Sequence, residues 1–128
     1  MTNLEKIEKA QTLLEQKNFP QYFSLPKVNA SEADFSEAIL ERAICNHSNF
    51  EKGLFINAIL SHANLSKAHL CNTTLKQANL SYANLSNAKI EDAKFNNAKF
   101  DNTIFQISQK ATLLSKNIDI SKCIFIED

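Results

Sequence analysis

The sequence predicts an all-β solenoid, and three observations carry that prediction. An apolar residue recurs every five positions through fifteen consecutive units, from Ala33 to Ile107, with no insertion. A small residue stands two positions before each of these centres, alanine in eleven units and Ser48, Gly53, Thr73 and Thr103 in the others. Glycine occurs once and proline twice, so the many turns of a β-rich chain need another supplier, and the asparagines, fifteen in all, tolerate left-handed backbone.

The centres read Phe35, Leu40, Cys45, Phe50, Phe55, Leu60, Leu65, Leu70, Leu75, Leu80, Leu85, Ile90, Phe95, Phe100 and Phe105. A helix turns about 100° per residue and would scatter a five-residue period around all its faces, while a straight strand would send alternate centres to opposite sides. Neither element buries every centre. The chain must therefore turn a corner once per unit, with the centre and the small residue inward and the other three residues outward. Successive coils then stack at the strand spacing of about 4.8 Å.

The triplets Ala63-Asn64-Leu65, Ala78-Asn79-Leu80, Ala83-Asn84-Leu85 and Ala33-Asp34-Phe35 resemble the A(D/N)LXX motif of the pentapeptide repeat family. The resemblance implies a right-handed quadrilateral β-helix with twenty residues per coil, hence about four coils here, and an N-terminal capping α-helix suits its open end. Some members of that family look like rods of duplex DNA, bind type II topoisomerases such as gyrase and protect against quinolones; others are bacterial effectors or regulators of development. The departures from the motif lie just before the centre, where Ile39, Ile44, Leu54, Ile59 and Ile104 replace the usual polar residue.

Residues 1–128 read as one domain. The stretch 2–18 carries a capping box of Thr2 and Glu5 and an apolar stripe of Leu4, Ile7 and Leu14 at helical spacing, with Ala10 and Leu13 beside it, the pattern of a helix packed over the first coil or of a partner-recognition helix. Residues 19–32, rich in aromatics and holding both prolines, read as an irregular linker in which Val28 and Ala30 already keep the repeat register. The regular repeats span 33–107. Residues 108–128 read as a loop and a C-terminal strand, with either Leu113 and Ile118 or Ile120 and Phe125 as the inward pair.

Fourteen basic and fourteen acidic side chains balance, which argues against nucleic acid or an anionic membrane as a partner. Glu5 and Glu8 stand where a signal peptide would be basic and then apolar, and no apolar run approaches a membrane span, so a cytoplasmic protein is expected. Three cysteines, Cys45, Cys71 and Cys123, lack the spacing of a disulfide framework or a zinc knuckle. Stacking by twenty places His69 and Cys71 outward on one side, yet a flat wall offers neither four converging metal ligands nor a nucleophile's pocket. Lys89, Lys94 and Lys99 fall on three different walls and make no continuous basic track.

The outward apolar residues are the more informative departure. Ile39 and Ile59 stack on one wall with Leu54 and Ile56 on its neighbour, a joined patch that must be covered by the chain's own helix or linker, or by a protein partner. Near the other end Phe125 can close the rod while Ile124 and Ile126 remain outward on a terminal strand, an arrangement that a two-fold related copy would bury. The expected function is a non-enzymatic protein-protein interaction module with no metal or cofactor, an unidentified protein partner and a homodimer through the C-terminus. The alternative is a DNA-mimicking gyrase-binding protein, which the resemblance alone implies and which the scarcity of outward acids disfavours.

Overall fold

The computed structural model describes Ser24 and residues 26–128. The capping helix expected over 2–18, and the part of the expected linker up to Phe23, lie outside the described residues. Throughout the repeats, single parallel bridges join each residue before a centre to the residue twenty positions later, from Ser24 and Ile44 to Asn84 and Ile104. Four five-residue sides therefore complete one coil. The bridges are one residue wide because a corner follows every centre.

Residues 64–68 show why this unit is self-consistent. The Asn64 N–H donates backward to the Ala43 carbonyl at 2.9 Å, while the N–H groups of Leu65 and Lys67 donate forward to the Asn84 and Ser86 carbonyls at 2.8 and 3.0 Å. Ala68 closes the corner by donating to the Leu65 carbonyl at 3.1 Å. The last N–H, that of Ser66, is taken by the Asn64 side-chain Oδ1 at 3.1 Å. All five donors are satisfied within the coil stack, as buried backbone requires.

Each corner of the regular repeats turns on a left-handed residue in its third position, as a type II turn does. Asn57, Asn72, Asn87, Asn97 and Asn102 fill that position, but so do Glu37, Arg42, Lys52, His62, Lys67 and Tyr82, all near φ +60°. The expectation that asparagines make the corners is thus only partly met. Other asparagines, at 49, 79 and 84, instead accept the N–H two residues on through Oδ1, the second role their short amide fits them for.

Inside the coils the centres form columns. Leucines fill the middle, from Leu60 to Leu85, and phenylalanines fill both ends, with Phe35 stacked on Phe55 at 5.1 Å and Phe50 edge-on to both. The polar departures at small positions are buried but satisfied: Thr73 and Thr103 donate to the Leu70 and Leu80 carbonyls, each at 2.7 Å, and the Ser48 hydroxyl accepts the Val28 N–H at 3.1 Å.

Two boundaries differ from the sequence reading. The ladder begins at Ser24 and Asn29, so the later part of the expected linker already forms a coil side; Val28 and Ala30 supply its inward pair with the sizes reversed. At the other end, the expected loop after 107 is a 3-10 turn, Ile107–Gln109, running into helix α1, Lys110–Ser115. Lys110-Ala111-Thr112-Leu113-Leu114 contains no turn former, and Leu113 buries itself completely under the last regular coil. This helical segment takes the place of two sides of a coil. Strand β1, Ile104–Gln106, then pairs in parallel with β2, Ile124–Ile126, again twenty residues on, and the Cys123 N–H to Ile120 carbonyl bond repeats the corner pattern. Ile120 and Phe125 are the inward residues of that last stretch, both only half-buried.

Gly53 offers a test of the packing. It occupies a position that is alanine in most units, yet a Cβ there would lie 2.8 Å from the Phe50 carbonyl oxygen and 3.3 Å from the Phe55 ring. The glycine makes room for the aromatic cluster. Gly53→Ala, although it restores the commonest residue, is expected to cost about 1–2 kcal/mol by overpacking, seen as a lowered midpoint in denaturant unfolding.

Candidate interaction surfaces

The outward residues before each centre fall into four columns, one per wall. The first wall carries Ser24, Ile44, Asn64, Asn84, Ile104 and Ile124; the second, Asn29, Asn49, His69 and Lys89; the third, Asp34, Leu54, Thr74 and Lys94; the fourth, Ile39, Ile59, Asn79 and Lys99. Charge and apolarity are distributed along the rod rather than around it. The apolar residues Ile39, Ile44, Leu54 and Ile59 gather toward the N-terminal end, and Lys89, Lys94 and Lys99 toward the C-terminal end.

Ile39 sits directly above Ile59 on the fourth wall, 52% and 38% exposed, and Leu54 is exposed on the third. Ile56 lies half-buried at the corner between them. The structure adds Ile44, exposed across the next corner on the first wall, so the patch spans three walls. Its motif position would have found it, since Ile44 is the same departure from the repeat as Ile39. At Ile39, Ile44, Leu54 and Ile59 the apolar side chain gives up the amide oxygen that elsewhere holds the corner N–H, a bond worth about 0.5–1.5 kcal/mol net. Folding alone does not ask for these residues.

Ile124 and Ile126 lie exposed on β2 at the far end and do not join this patch. Ile104 stands above Ile124 on the first wall, half-buried, and Ile107 and Leu114 are exposed nearby in the helical segment. One edge of β2 pairs with β1; among the described residues no strand lies on the other.

His69 bridges to Asn49 and Lys89, and Cys71 donates through Sγ to Glu91 Oε2 at 3.4 Å. Partial burial and the neighbouring carboxylates of Glu91 and Glu51 push the Cys71 thiol above its ordinary range, so it is held as a thiol rather than a nucleophilic thiolate. Among the described residues no group of histidine, cysteine and carboxylate side chains converges as a metal site. A ring pair that the sequence reading missed lies on the corner after the fourth wall: His62 and Tyr82, twenty residues apart, stack at 4.8 Å with planes 3° from parallel. Their shared position in the repeat was the signal. No helix among the described residues is long and apolar enough to cross a membrane.

A filled interior, a twenty-residue ladder and flat outer walls define a β-solenoid whose chemistry is presented on its outside. A family model for pentapeptide repeats matches eight copies along the chain, over 25–55, 45–77, 58–97 and 72–106. The chain belongs to the pentapeptide repeat family, whose fold is the right-handed quadrilateral β-helix. Among solved structures it is similar to HetL, a pentapeptide repeat protein involved in heterocyst differentiation regulation in the cyanobacterium Nostoc sp. strain PCC 7120, with 28% identity and a TM-score of 0.65 over 66% of this chain. It spans only 39% of HetL's own length. It also matches a pentapeptide repeat protein of Cyanothece 51142, at 31% identity and TM-score 0.47 over 66% of this chain and 62% of that one. A second Nostoc PCC 7120 repeat protein matches at 18% identity and TM-score 0.47, over 91% and 94% of the two chains. No curated protein matches the chain.

The core thiol of Cys45 gives a pH test. Burial pushes its pKa up to about 12 from an ordinary 9.0, so above pH 9 the unfolded chain loses a proton that the folded chain keeps. The neutral thiol's contribution is fully present below pH 9 and is lost as pH rises toward 12. Chemical denaturation between pH 8 and about 11 is expected to show falling stability in the native chain and a flatter profile in Cys45→Ala.

Proposed function

We propose that this protein is a non-enzymatic interaction module whose partner face is the apolar patch of Ile39, Ile44, Leu54, Ile56 and Ile59, and that two copies pair through Ile124 and Ile126. One observation carries the first part: bulky apolar residues occupy four of the five successive outward positions from Ile39 to Ile59, with Asn49 between them, and the columns of these four continue in the middle of the rod with asparagine or threonine. Exposed apolar surface of this kind, rimmed by Glu37, Glu41 and Lys52, is the usual mark of protein recognition. A balanced net charge and three free thiols support a cytoplasmic setting.

The gyrase-binding alternative has less support. Asp34 is the one acid among the outward residues before a centre in the ladder from Ser24 to Ile104, whereas Lys89, Lys94 and Lys99 hold three successive such positions. A wall that imitates phosphate needs the opposite charge.

Two measurements test the reading. A partner retained on the immobilised protein from its source cell is expected to be lost with Ile39→Glu, Ile59→Glu, whose outward positions leave the coil intact; undiminished retention would remove the patch from the interface. Light scattering is expected to give twice the chain mass for the native protein and the monomer mass for Ile124→Glu, Ile126→Glu. A native monomer ends the dimer proposal.

A further inference from the structure

We infer that the cleft at the C-terminal end of the rod is a docking slot for an acidic peptide segment, added as a parallel strand to the open edge of the third wall and turning the corner onto the fourth. This site is separate from the apolar patch and involves a different occupant. The cleft encloses about 850 Å³ between the last regular sides, residues 93–101, and the returning segment 116–122.

Its floor is an unfinished ladder. On the third wall one coil higher, the Leu75 and Gln77 N–H groups donate to the Lys94 and Asn96 carbonyls at 2.7 and 2.8 Å, two residues apart on one extended chain. Phe95 and Asn97 present the same pair of N–H groups directly beneath, and Phe100 presents the next on the fourth wall. Among the described residues none of these three N–H groups has an acceptor. The returning segment does not supply them, because β2 rejoins the ladder only on the first wall. What fits two donors at this spacing is the backbone of a strand, with carbonyls on alternate residues, rather than a small anion.

On the side of the slot that precedes Phe95, the carbonyls of the edge are taken by side chains that imitate a backbone donor. Gln109 Nε2 donates to the Leu85 and Ala88 carbonyls, both at 2.9 Å, and Lys116 Nζ donates to the Ala93 carbonyl at 2.9 Å. The bonding capacity left open is mainly that of donors, which selects an occupant rich in acceptors.

Charge and packing set the rest of the occupant's chemistry. Four lysines, 94, 99, 116 and 122, line the cleft against Asp101 and Asp119. Lys122 is paired with Asp101 at 3.6 Å and Lys116 is engaged on the Ala93 carbonyl, which leaves Lys94 and Lys99 exposed on the rim without a carboxylate partner among the described residues. Between them the edge-packed rings of Phe95 and Phe100, with half-buried Ile118, give an apolar base. A strand that alternates an acid outward with an aliphatic residue inward meets both.

The experiment uses the full-length protein and a fluorescein-labelled peptide, Glu-Val-Glu-Thr-Glu-Val-Glu, with its lysine counterpart, Lys-Val-Lys-Thr-Lys-Val-Lys, as control. The acidic peptide is expected to bind saturably by fluorescence anisotropy. Lys94→Glu, Lys99→Glu is expected to weaken it at least about tenfold, with similar weakening at high salt. The lysine peptide should not bind. Ile39→Glu, Ile59→Glu should leave the affinity unchanged, which separates this slot from the partner patch. Amide hydrogen exchange at Phe95, Asn97 and Phe100 should slow at least about tenfold on saturation. Absence of binding, equal binding of both peptides, or binding that leaves those three amides unprotected overturns the inference. Equal protection of the same amides by inorganic phosphate also overturns it, in favour of a small-anion site.

Discussion

The structure depends on one hydrogen bond repeated at the corners wherever a regular coil follows, from the N–H of the left-handed residue to a carbonyl of the next coil. Glu32, Lys52, Gln77 and Tyr82 all make it, at distances from 2.8 to 3.0 Å. A left-handed conformation costs a non-glycine residue of order 1 kcal/mol, and side chains as bulky as Tyr82 adopt it rarely. The bond offsets that cost only if a neighbouring coil is in register, so corner and stack stabilise each other. A single isolated coil would carry the strain without the compensation, which is why this architecture is built by repetition.

That dependence explains why so much of the fold was legible. The centres and small residues face a closed interior where size and polarity are tightly constrained, so Phe35 to Phe105 could be assigned by period alone. The corners were less legible, because the left-handed position faces solvent and the inter-coil bond uses backbone that every residue but proline possesses; Arg42 and Lys67 can stand where asparagine was expected. The C-terminal segment was misread for a related reason. Leu113 and Ile118 stand five residues apart just as Ile120 and Phe125 do; only the second pair keeps the register of Phe105, and the helical winding of 110–115 interrupts the units between.

The surfaces divide in the same way. Ile39, Leu54 and Ile59 were recognisable as departures from a repeat whose rule was already known. The cleft near Phe95 and Phe100 was not, since it arises where the helical segment interrupts the coil and leaves backbone N–H groups of the preceding coil unpaired among the described residues. Gln109 is buried among the carbonyls of Leu85 and Ala88, yet in sequence it is one polar residue in a polar run. A repeat pattern announces where it is kept or broken; the means by which it is closed off has no period to be read from.

The twenty-residue register has a consequence for how such proteins diversify. Duplicating one five-residue unit in the middle of the rod would preserve the columns and the corner bonds, but would turn everything beyond it by a quarter revolution about the long axis. The isoleucines near one end and the lysines near the other would keep their own geometry while their relative bearing changed in steps of about 90°. Gain or loss of whole units therefore acts as an indexing mechanism, setting the angle at which two separate binding faces are offered while hardly disturbing the packing that carries them.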